Sequence, residues 1–193
     1  QSLVYIWNGD KTCQLGLPVP ASEKDKFSFS HDGACEGSFV AGVSQVTVFS
    51  GNKKFATLNG SFVKGTLEGY GILQFENKRT YEGGFINSRR HGKGKFMTEK
   101  DTTYATWAGD SIADGKVSIH YVNKTRLVYV SKNGRANGPA VYYNFPGFGG
   151  FDSTHFEYAN GQLSEAPATI FFRGDDHRKN YVGEASFGRM HGK

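Results

Sequence analysis

The sequence lacks several features that would indicate a membrane protein or an enzyme. No stretch approaches the roughly 20 apolar residues of a transmembrane helix, and no amphipathic run is long enough for a stable helix. The His-Glu-x-x-His, Gly-x-Ser-x-Gly and dinucleotide-binding patterns are all missing. The glycines within 147–150 are not followed by Lys-Ser/Thr, so they do not form a phosphate-binding loop. The sequence therefore predicts no catalytic residue, no bound cofactor, no metal site and no transmembrane segment.

The chain does contain a pattern of short strands and polar turns. Tyr81, Gly83 and Phe85 fall on one face of a strand, because side chains on a strand alternate between its two faces. The same spacing of glycine and phenylalanine recurs on the following strand. The polar residues 87–91 between the two strands predict a turn, so residues 81–96 are expected to form a β-hairpin.

This hairpin pattern recurs at a period of 23 residues. Cys35 and Leu58 open similar units before Tyr81, and Tyr104 and Leu127 open similar units after it, each 23 residues from the next. The final residues repeat the pattern strongly and stop in the middle of a hairpin. The expected organisation is a degenerate capping unit at 1–34, five units in register at 35–149, an irregular unit at 150–180 and a truncated unit at 181–193.

The motif Tyr-x-Gly, a turn, then His-Gly-x-Gly at this period resembles the MORN repeat family. The resemblance implies an all-β fold, a single elongated, twisted antiparallel sheet or solenoid of about seven to eight stacked β-hairpins. MORN repeats are associated with dimerising scaffolds and with phospholipid binding, and they also occur beside catalytic domains. These residues contain no catalytic domain, so a non-catalytic module is expected. We therefore expect one MORN-repeat domain over residues 1–193.

Stacked hairpins would collect aromatic and aliphatic side chains on one face of the sheet. Burial of each contributes roughly 1.5–3 kcal/mol, which ordering the chain largely offsets, so several units must stack before the array is stable. Gly37, Gly60 and Gly83 fall in register, which predicts a column of glycines where the sheet curls tightly. The residues expected on the buried face are Phe39, Phe62 and Phe85, with Leu73, Phe75, Phe96, Ile119, Tyr121 and Tyr142.

Cys13 and Cys35 are the only cysteines in the chain. The hairpin arrangement would place them on neighbouring strands, so a disulfide is feasible, with two independent buried thiols as the alternative. Two cysteines this far apart in sequence do not by themselves predict a zinc site. A disulfide implies an oxidising compartment, and the Gln1 start fits either a removed signal peptide or a trimmed chain. Both features favour an extracytoplasmic protein, periplasmic or secreted, over a cytoplasmic one.

Two segments depart from the repeat. Residues 14–33 contain two prolines and a polar run, and are expected to form an elongated turn in the capping hairpin. Residues 144–152 carry three phenylalanines among glycines, and the next strand is expected near His155. These phenylalanines either contact a partner or fold back on the sheet. The second is favoured, because loops that expose several aromatics promote aggregation.

The densest cluster of acidic and imidazole groups is Asp175-Asp176-His177. It lies in a polar run that resembles a turn before Tyr181, and a turn explains it better than a metal or catalytic site. His91 and His191 share one repeat position. This predicts a structural role for both, an imidazole hydrogen-bonded to the backbone of its hairpin turn.

The formal net charge is +5, and basic residues concentrate in the middle units. Residues at one repeat position align along an edge of stacked hairpins, which predicts a basic edge that could face anionic lipid or an acidic partner; solvated turns are the alternative. The aromatic residues are committed to the core, so nucleic acid is not an expected partner. The candidate edge comprises Lys64, Arg89, Arg90, Lys93, Lys132 and Arg135.

The sequence thus predicts a protein-interaction or scaffold module that uses a groove face or an edge strand. The expected partner is a protein, and a homodimer is one form of assembly. Binding of anionic lipid or an envelope polymer through the basic edge is the alternative. An inhibitor or immunity-type protein that blocks a partner's active site is a third hypothesis.

Overall fold

The computed structural model describes residues 3–144, 151–172, 180–186 and 189–191. The chain divides into two compact units: unit 1 comprises Gln1–Glu99 and Trp107–Ser111, and unit 2 comprises Lys100–Thr106 and Ile112–Lys193. Both are built from β-strands, so the all-β class is confirmed. Within the described residues no helix is long and apolar enough to cross a membrane. The number of 23-residue units and the single-domain organisation stay predictions.

Unit 1 is a mostly antiparallel sheet of consecutive hairpins. Strands β5 to β9 pair in chain order, each antiparallel to the next. A short parallel contact joins β2 to β5, and β3 and β4 both pair with β5. Its elements are β1 (Val4–Trp7), β2 (Gln14–Leu17), a 3₁₀ helix (Ala21–Lys26), β3 (Phe27–His31), β4 (Ala34–Glu36), β5 (Phe39–Ser50), β6 (Lys53–Val63), β7 (Thr66–Phe75), β8 (Thr80–Ile86) and β9 (Arg89–Met97).

Unit 2 continues the same construction with antiparallel pairs in chain order. The most buried side chains of its described part include Val117, Thr154 and Ile170. The strands are β10 (Asp101–Ala108, whose last two residues belong to unit 1), β11 (Ser111–Ile112), β12 (Gly115–Tyr121), β13 (Arg126–Lys132), β14 (Arg135–Tyr143), β15 (Phe151–Ala159), β16 (Gln162–Leu163), β17 (Ala168–Phe172), β18 (Asn180–Ser186) and β19 (Arg189–His191).

Two-residue turns with left-handed backbone join the hairpins. Asn87 and Ser88 have φ of 50° and 58°, and Asn133 and Gly134 have φ of 53° and 72°. Two consecutive positive φ values give a turn whose twist matches that of the flanking strands. The predicted turn at 87–91 is therefore too long, because strand β9 already begins at Arg89 and contains His91.

Four glycines lie side by side across strands β6 to β9. Gly60 pairs with Gly71, Gly71 with Gly83, and Gly83 with Gly94. A Cβ on Gly83 would lie 2.6 Å from the Gly94 Cα, so the two backbones approach too closely for any side chain. Two of the three glycines predicted for the column, Gly60 and Gly83, are therefore part of it. Gly37 is not one of them, because it lies between β4 and β5 with a φ of 61° and open space around it.

Columns of large side chains flank the glycine column on the same face of unit 1. One column joins Leu58, Leu73, Tyr81 and Phe96. On the other side Phe62 lies opposite Leu67, and Phe85 opposite Arg90. Phe62, Leu67, Tyr81 and Phe85 are fully buried, which confirms the burial of two predicted core phenylalanines. The other seven residues predicted for the buried face are only half-buried, so the extent of burial predicted for them is wrong. They are Phe39, Leu73, Phe75, Phe96, Ile119, Tyr121 and Tyr142.

The segment 14–33 is not an elongated turn. It contains strand β2, the 3₁₀ helix and strand β3. Leu15 and Leu17 of β2 are buried in the core. Their burial stabilises this segment as part of the sheet. The strand expected near His155 begins at Phe151 instead. Residues 145–150, which carry the other two phenylalanines of the insertion, lie outside the described residues.

Candidate functional site

A groove of about 540 Å³ opens on the face of unit 1 that carries the glycine column. Its lining is mainly aliphatic and aromatic, with a small number of polar side chains. Concave sites of this volume and character are typical of ligand-binding surfaces. The apolar residues that form most of the lining include Leu17, Val19, Phe27, Phe55, Leu73 and Phe75.

A row of phenylalanines forms one part of the groove lining. The ring of Phe55 lies edge-to-face against Phe27, with centroids 5.5 Å apart, and against Phe75, with centroids 5.8 Å apart. Edge-to-face pairs at this distance are favourable and hold the rings in place. Phe55 nevertheless keeps 42% of its surface exposed, so the row offers apolar area to a ligand.

Arg90 and Asp110 form a fixed polar pair in the groove lining. The Arg90 Nε donates to Asp110 Oδ1 at 3.2 Å, and the Arg89 Nη1 donates to Asp110 Oδ2 at 3.2 Å. The Arg90 guanidinium also lies over the Trp107 ring, 4.3 Å from its centroid. A carboxylate that accepts from two guanidinium groups, one of them stacked on an aromatic ring, is held rigidly.

Tyr81 lies beneath this pair and is fully buried. Its hydroxyl donates to the carbonyl oxygen of Gly84 at 3.1 Å, so the ring spans the glycine column. Burial raises the pKa of Tyr81 to about 12, and the nearby Arg90 charge partly opposes that rise. The phenol is therefore neutral at physiological pH and serves as a structural support of the groove.

A ladder of hydrogen bonds joins successive turns and was not predicted from the sequence. The side-chain oxygens of Glu68, Asp114 and Asn137 accept from the backbone N–H groups of Asn87, Asn133 and Asn160, at 2.8, 2.6 and 3.2 Å. Glu68, Asp114 and Asn137 are 46 and 23 residues apart in turn, so they occupy one position of the repeat. A polar acceptor recurring at the period was the signal in the sequence that could have revealed this ladder.

The sequence profile of the MORN repeat matches residues 59–78 and 81–100. These spans overlap the hairpins β6–β7 and β8–β9, which carry the glycine column and much of the groove lining. Residues 59–78 and 81–100 are MORN repeats. No curated protein sequence matches the chain.

His91 lies at multiples of 23 residues from Glu68, Asp114 and Asn137. Its side chain is exposed in strand β9 and lies outside the turn predicted for it. Here the bond runs in the opposite direction, since the later turn supplies the side-chain acceptor: Asp110 Oδ1 accepts from the Arg90 backbone N–H at 3.0 Å. The side chain of His191 and residues 175–177, the predicted acid–imidazole cluster, lie outside the described residues.

The candidate basic edge is divided between the two units. Lys64, Arg89, Arg90 and Lys93 belong to unit 1, and Lys132 and Arg135 belong to unit 2. Lys64 and Lys93 are exposed, whereas Arg89 and Arg90 are half-buried and paired with Asp110. Two of the six predicted cations are thus held by a carboxylate. A lipid-binding role for the edge stays a prediction.

Lys132 and Arg135 face each other across the turn between β13 and β14 in unit 2. Together with three asparagines they line a polar hollow of about 560 Å³. Both side chains are exposed. This is where the structure brings two of the predicted edge residues together in unit 2.

Glu82, a residue of the second MORN repeat, accepts from Lys95 at 2.7 Å and from the Tyr70 hydroxyl. Both hydrogen bonds stabilise the carboxylate and hold the pKa of Glu82 below its ordinary value, the Lys95 bond first. The same carboxylate raises the pKa of Tyr70. Tyr70, Glu82 and Lys95 lie on adjacent strands and link the two matched hairpins.

Cys13 and Cys35 lie at disulfide distance in unit 1, with Cα atoms 5.8 Å apart. The Nε2 of His31 is 3.9 Å from the Cys35 sulfur. One ligand atom from each of the three residues lies within 4.8 Å of the others, a group that could hold a metal ion. The separation of Cys13 and Cys35 in the sequence was therefore a poor argument against a metal site. While the two sulfurs are bonded to each other, however, they are not thiolates and cannot act as metal ligands.

Proposed function

We propose that the chain is a non-catalytic protein-interaction module and that its groove binds an extended segment of a partner protein. The observation that carries the proposal is the half-exposed apolar lining of the groove. Phe55 is 42% exposed, and Leu73, Phe75 and Phe96 are half-buried, although Phe62 and Phe85 on the same face are fully buried. Apolar area left exposed in this way gains free energy when a ligand covers it.

The chemistry of the groove favours a protein segment. The apolar lining crosses strands β3, β5, β6, β7 and β9, and an extended segment that lies across them presents large apolar side chains at regular spacing. Polar groups in the lining would fix the orientation of the segment. Asn77 and the exposed Arg79 can donate hydrogen bonds to its carbonyl or carboxylate oxygens, while Arg90 is already held by Asp110.

Binding of anionic lipid through the basic edge is less well supported. A lipid-binding edge needs cations that are free to contact phosphate, because each contributes through electrostatic attraction to the surface. Arg89 and Arg90 share Asp110, so their charge is partly neutralised and their side chains are held in place. We retain lipid as an outcome that the following experiment can detect.

The cysteine pair supports the further proposal that the protein works outside the cytoplasm, since disulfides persist in oxidising compartments. The expected result is an oxidised Cys13–Cys35 pair in freshly isolated protein whose free thiols were blocked at lysis. Two free thiols under these conditions would contradict the location.

The groove is tested by selecting binders from a displayed library of random peptides. Enriched peptides are synthesised, and their Kd is measured by fluorescence polarisation for the wild type and for Phe55→Glu. Because Phe55 lies in the middle of the phenylalanine row, a charge there should weaken binding about 100-fold or more. Phe55 is exposed enough that the variant should still fold, which circular dichroism checks.

The matched control is Val43→Glu, the same introduced charge at a residue that is 86% exposed and outside the groove lining. It should bind the selected peptides as the wild type does. The groove proposal fails if no peptide is enriched or if both variants bind equally well. Co-sedimentation with phosphatidylserine vesicles that is lost in Lys64→Glu/Lys93→Glu, without any peptide binding, would establish the lipid alternative.

A further inference from the structure

The two cysteines differ sharply in accessibility. Cys13 has no exposed surface, whereas Cys35 is exposed on the short strand β4. Cys13 is held at the start of β2, where its backbone N–H donates to Asn8 Oδ1 at 2.9 Å and its carbonyl accepts from Asn8 N–H at 3.0 Å. A thiolate from solution can therefore attack the sulfur of Cys35 only, and Cys13 is the sulfur that leaves.

His31 is placed to act on the Cys35 sulfur. Its Nε2 lies 3.9 Å from that sulfur, while its Nδ1 is buried without a hydrogen-bond partner among the described residues. A buried N–H without a partner is costly, so the neutral ring keeps its proton on Nε2, where it can donate to sulfur. Asp10 and Asp32, in the turns beside β2 and β4, also interact electrostatically with His31.

Strand β2 connects the cysteine pair to the groove. It pairs with β1 and meets the rest of the sheet through Gln14 N–H to Ser38 O and Gly16 N–H to Gly65 O, both 2.8 Å. The residues that end β2 and follow it, Leu17, Pro18 and Val19, line the groove. The covalent bond at Cys13 is thus a tether directly before a segment that forms part of the groove wall.

We propose that Cys13 and Cys35 form a reversible thiol–disulfide switch that controls segment 14–19, whose residues Leu17, Pro18 and Val19 form part of the groove wall. Cys35 is the reactive thiol, Cys13 is the resolving thiol, and His31 is a positioning residue that stabilises the Cys35 thiolate. The reductant is a low-molecular-weight thiol. The switch does not depend on which ligand the groove binds.

The reaction balances with two molecules of that thiol. The first thiolate attacks the Cys35 sulfur, the bond between the cysteines breaks, and its electron pair leaves on Cys13, which takes up a proton. A second thiolate then attacks the small-molecule sulfur of the mixed disulfide and expels Cys35 as a thiolate beside the His31 Nε2–H. The products are two protein thiols and one small-molecule disulfide, and oxidation runs the same steps in reverse.

Hydrogen exchange tests the effect on the groove wall. The intact protein is compared oxidised and after reduction by glutathione, following the Gly16 amide by mass spectrometry with electron-transfer fragmentation. Loss of the tether should raise the exchange rate of Gly16 about ten-fold or more, while amides of β8 and β9 keep their protection. Equal exchange of Gly16 in both states would overturn the switch, and a rise spread over β8 and β9 would show unfolding of the unit instead.

The role of His31 is tested by the reactivity of Cys35. In a Cys13→Ala background, the rate of alkylation by iodoacetamide is measured against pH with and without His31→Gln. Because the His31 Nε2–H can donate to the Cys35 thiolate, His31→Gln should slow alkylation at neutral pH about ten-fold and move the rate profile to higher pH. The control is His120→Gln, an exposed histidine of unit 2 that should change neither rate nor profile.

If Cys13→Ala does not fold, the glutathione reduction rate of the wild type and of His31→Gln supplies the same comparison with both cysteines present. A slower reduction in His31→Gln, with no change in His120→Gln, supports the assignment. Identical pH profiles and reduction rates in the two histidine variants would show that His31 is only a packing residue beside Phe29.

Discussion

Replacing Gly83 by alanine tests the close approach of backbones on which the face of unit 1 depends. The new Cβ would lie 2.6 Å from the Gly94 Cα and 2.8 Å from the Lys93 carbonyl oxygen. Ordinary contacts of a Cβ begin at 3.4 Å, so strand β9 would have to move by about 0.8 Å, the difference between 3.4 and 2.6 Å. Both atoms belong to backbone that is paired with β8, so they cannot yield as a side chain would.

The expected loss of stability follows from this crowding. Overpacking a well-packed interior costs typically 1–3 kcal/mol, and a collision with backbone belongs at the upper end of that range. Replacing a strand glycine by alanine also raises the free energy of unfolding by roughly 0.5–1 kcal/mol, because alanine has less conformational freedom in the unfolded chain. The net loss should be about 2 kcal/mol. With a urea dependence of about 2 kcal/mol per molar, the urea midpoint should fall by about 1 M.

Tryptophan fluorescence is a suitable assay, because Trp7 and Trp107 both belong to unit 1 and Trp107 lies against Tyr81. The matched control is Gly9→Ala, which makes the same change at a turn glycine where the added methyl group would have no atom within 4 Å. Gly9→Ala should leave the midpoint within about 0.3 M of the wild type. The reasoning about the glycine column is refuted if the two variants have the same midpoint.

Two further predictions concern charged groups. Asp110→Asn should destabilise unit 1 by about 1–3 kcal/mol, because it removes the carboxylate charge that two half-buried guanidinium groups share, and Asp25→Asn at an exposed position should be neutral in the same urea titration. Glu82 has a folded pKa below its unfolded one, so its contribution to stability is complete above the unfolded pKa and is lost as the pH falls below that value. Between about pH 6 and about pH 3 the urea midpoint of Glu82→Gln should therefore fall less than that of the wild type. An equal fall of the midpoint in both proteins would contradict the bond to Lys95.

The hairpins and the faces of their strands could be predicted because their signals are local. A two-residue turn such as Asn133-Gly134 and the alternation of Tyr81, Gly83 and Phe85 both lie within a few residues, where sequence spacing fixes geometry. The segment 14–33 could not be predicted in the same way. Its leucines become core only because β5 and the β6–β7 turn lie beside them, and that contact spans many residues.

The functional residues were harder to predict, since their chemistry depends on contacts between hairpins. Arg89 and Arg90 have the sequence character of a free basic turn, and only the position of the next turn, 20 residues later, brings Asp110 against them. His31 likewise gains a role only from the fold, which places it beside Cys35 and the distant Cys13. The residue types can be read directly along the chain, whereas the partners of each residue depend on register between strands.

The glycine column lets one face of unit 1 supply both a buried core and an open groove. Because Gly60, Gly71, Gly83 and Gly94 have no side chains, the ring of Tyr81 can lie across the column and bond to the Gly84 carbonyl. Phe62 and Phe85 on one side of the column and Tyr81 on the other are then fully buried and supply stability. Leu73 and Phe96, the neighbours of Tyr81, stay half-buried and line the groove. Substitutions at the fully buried residues should therefore act through folding, whereas those at the exposed groove residues should act through the proposed binding.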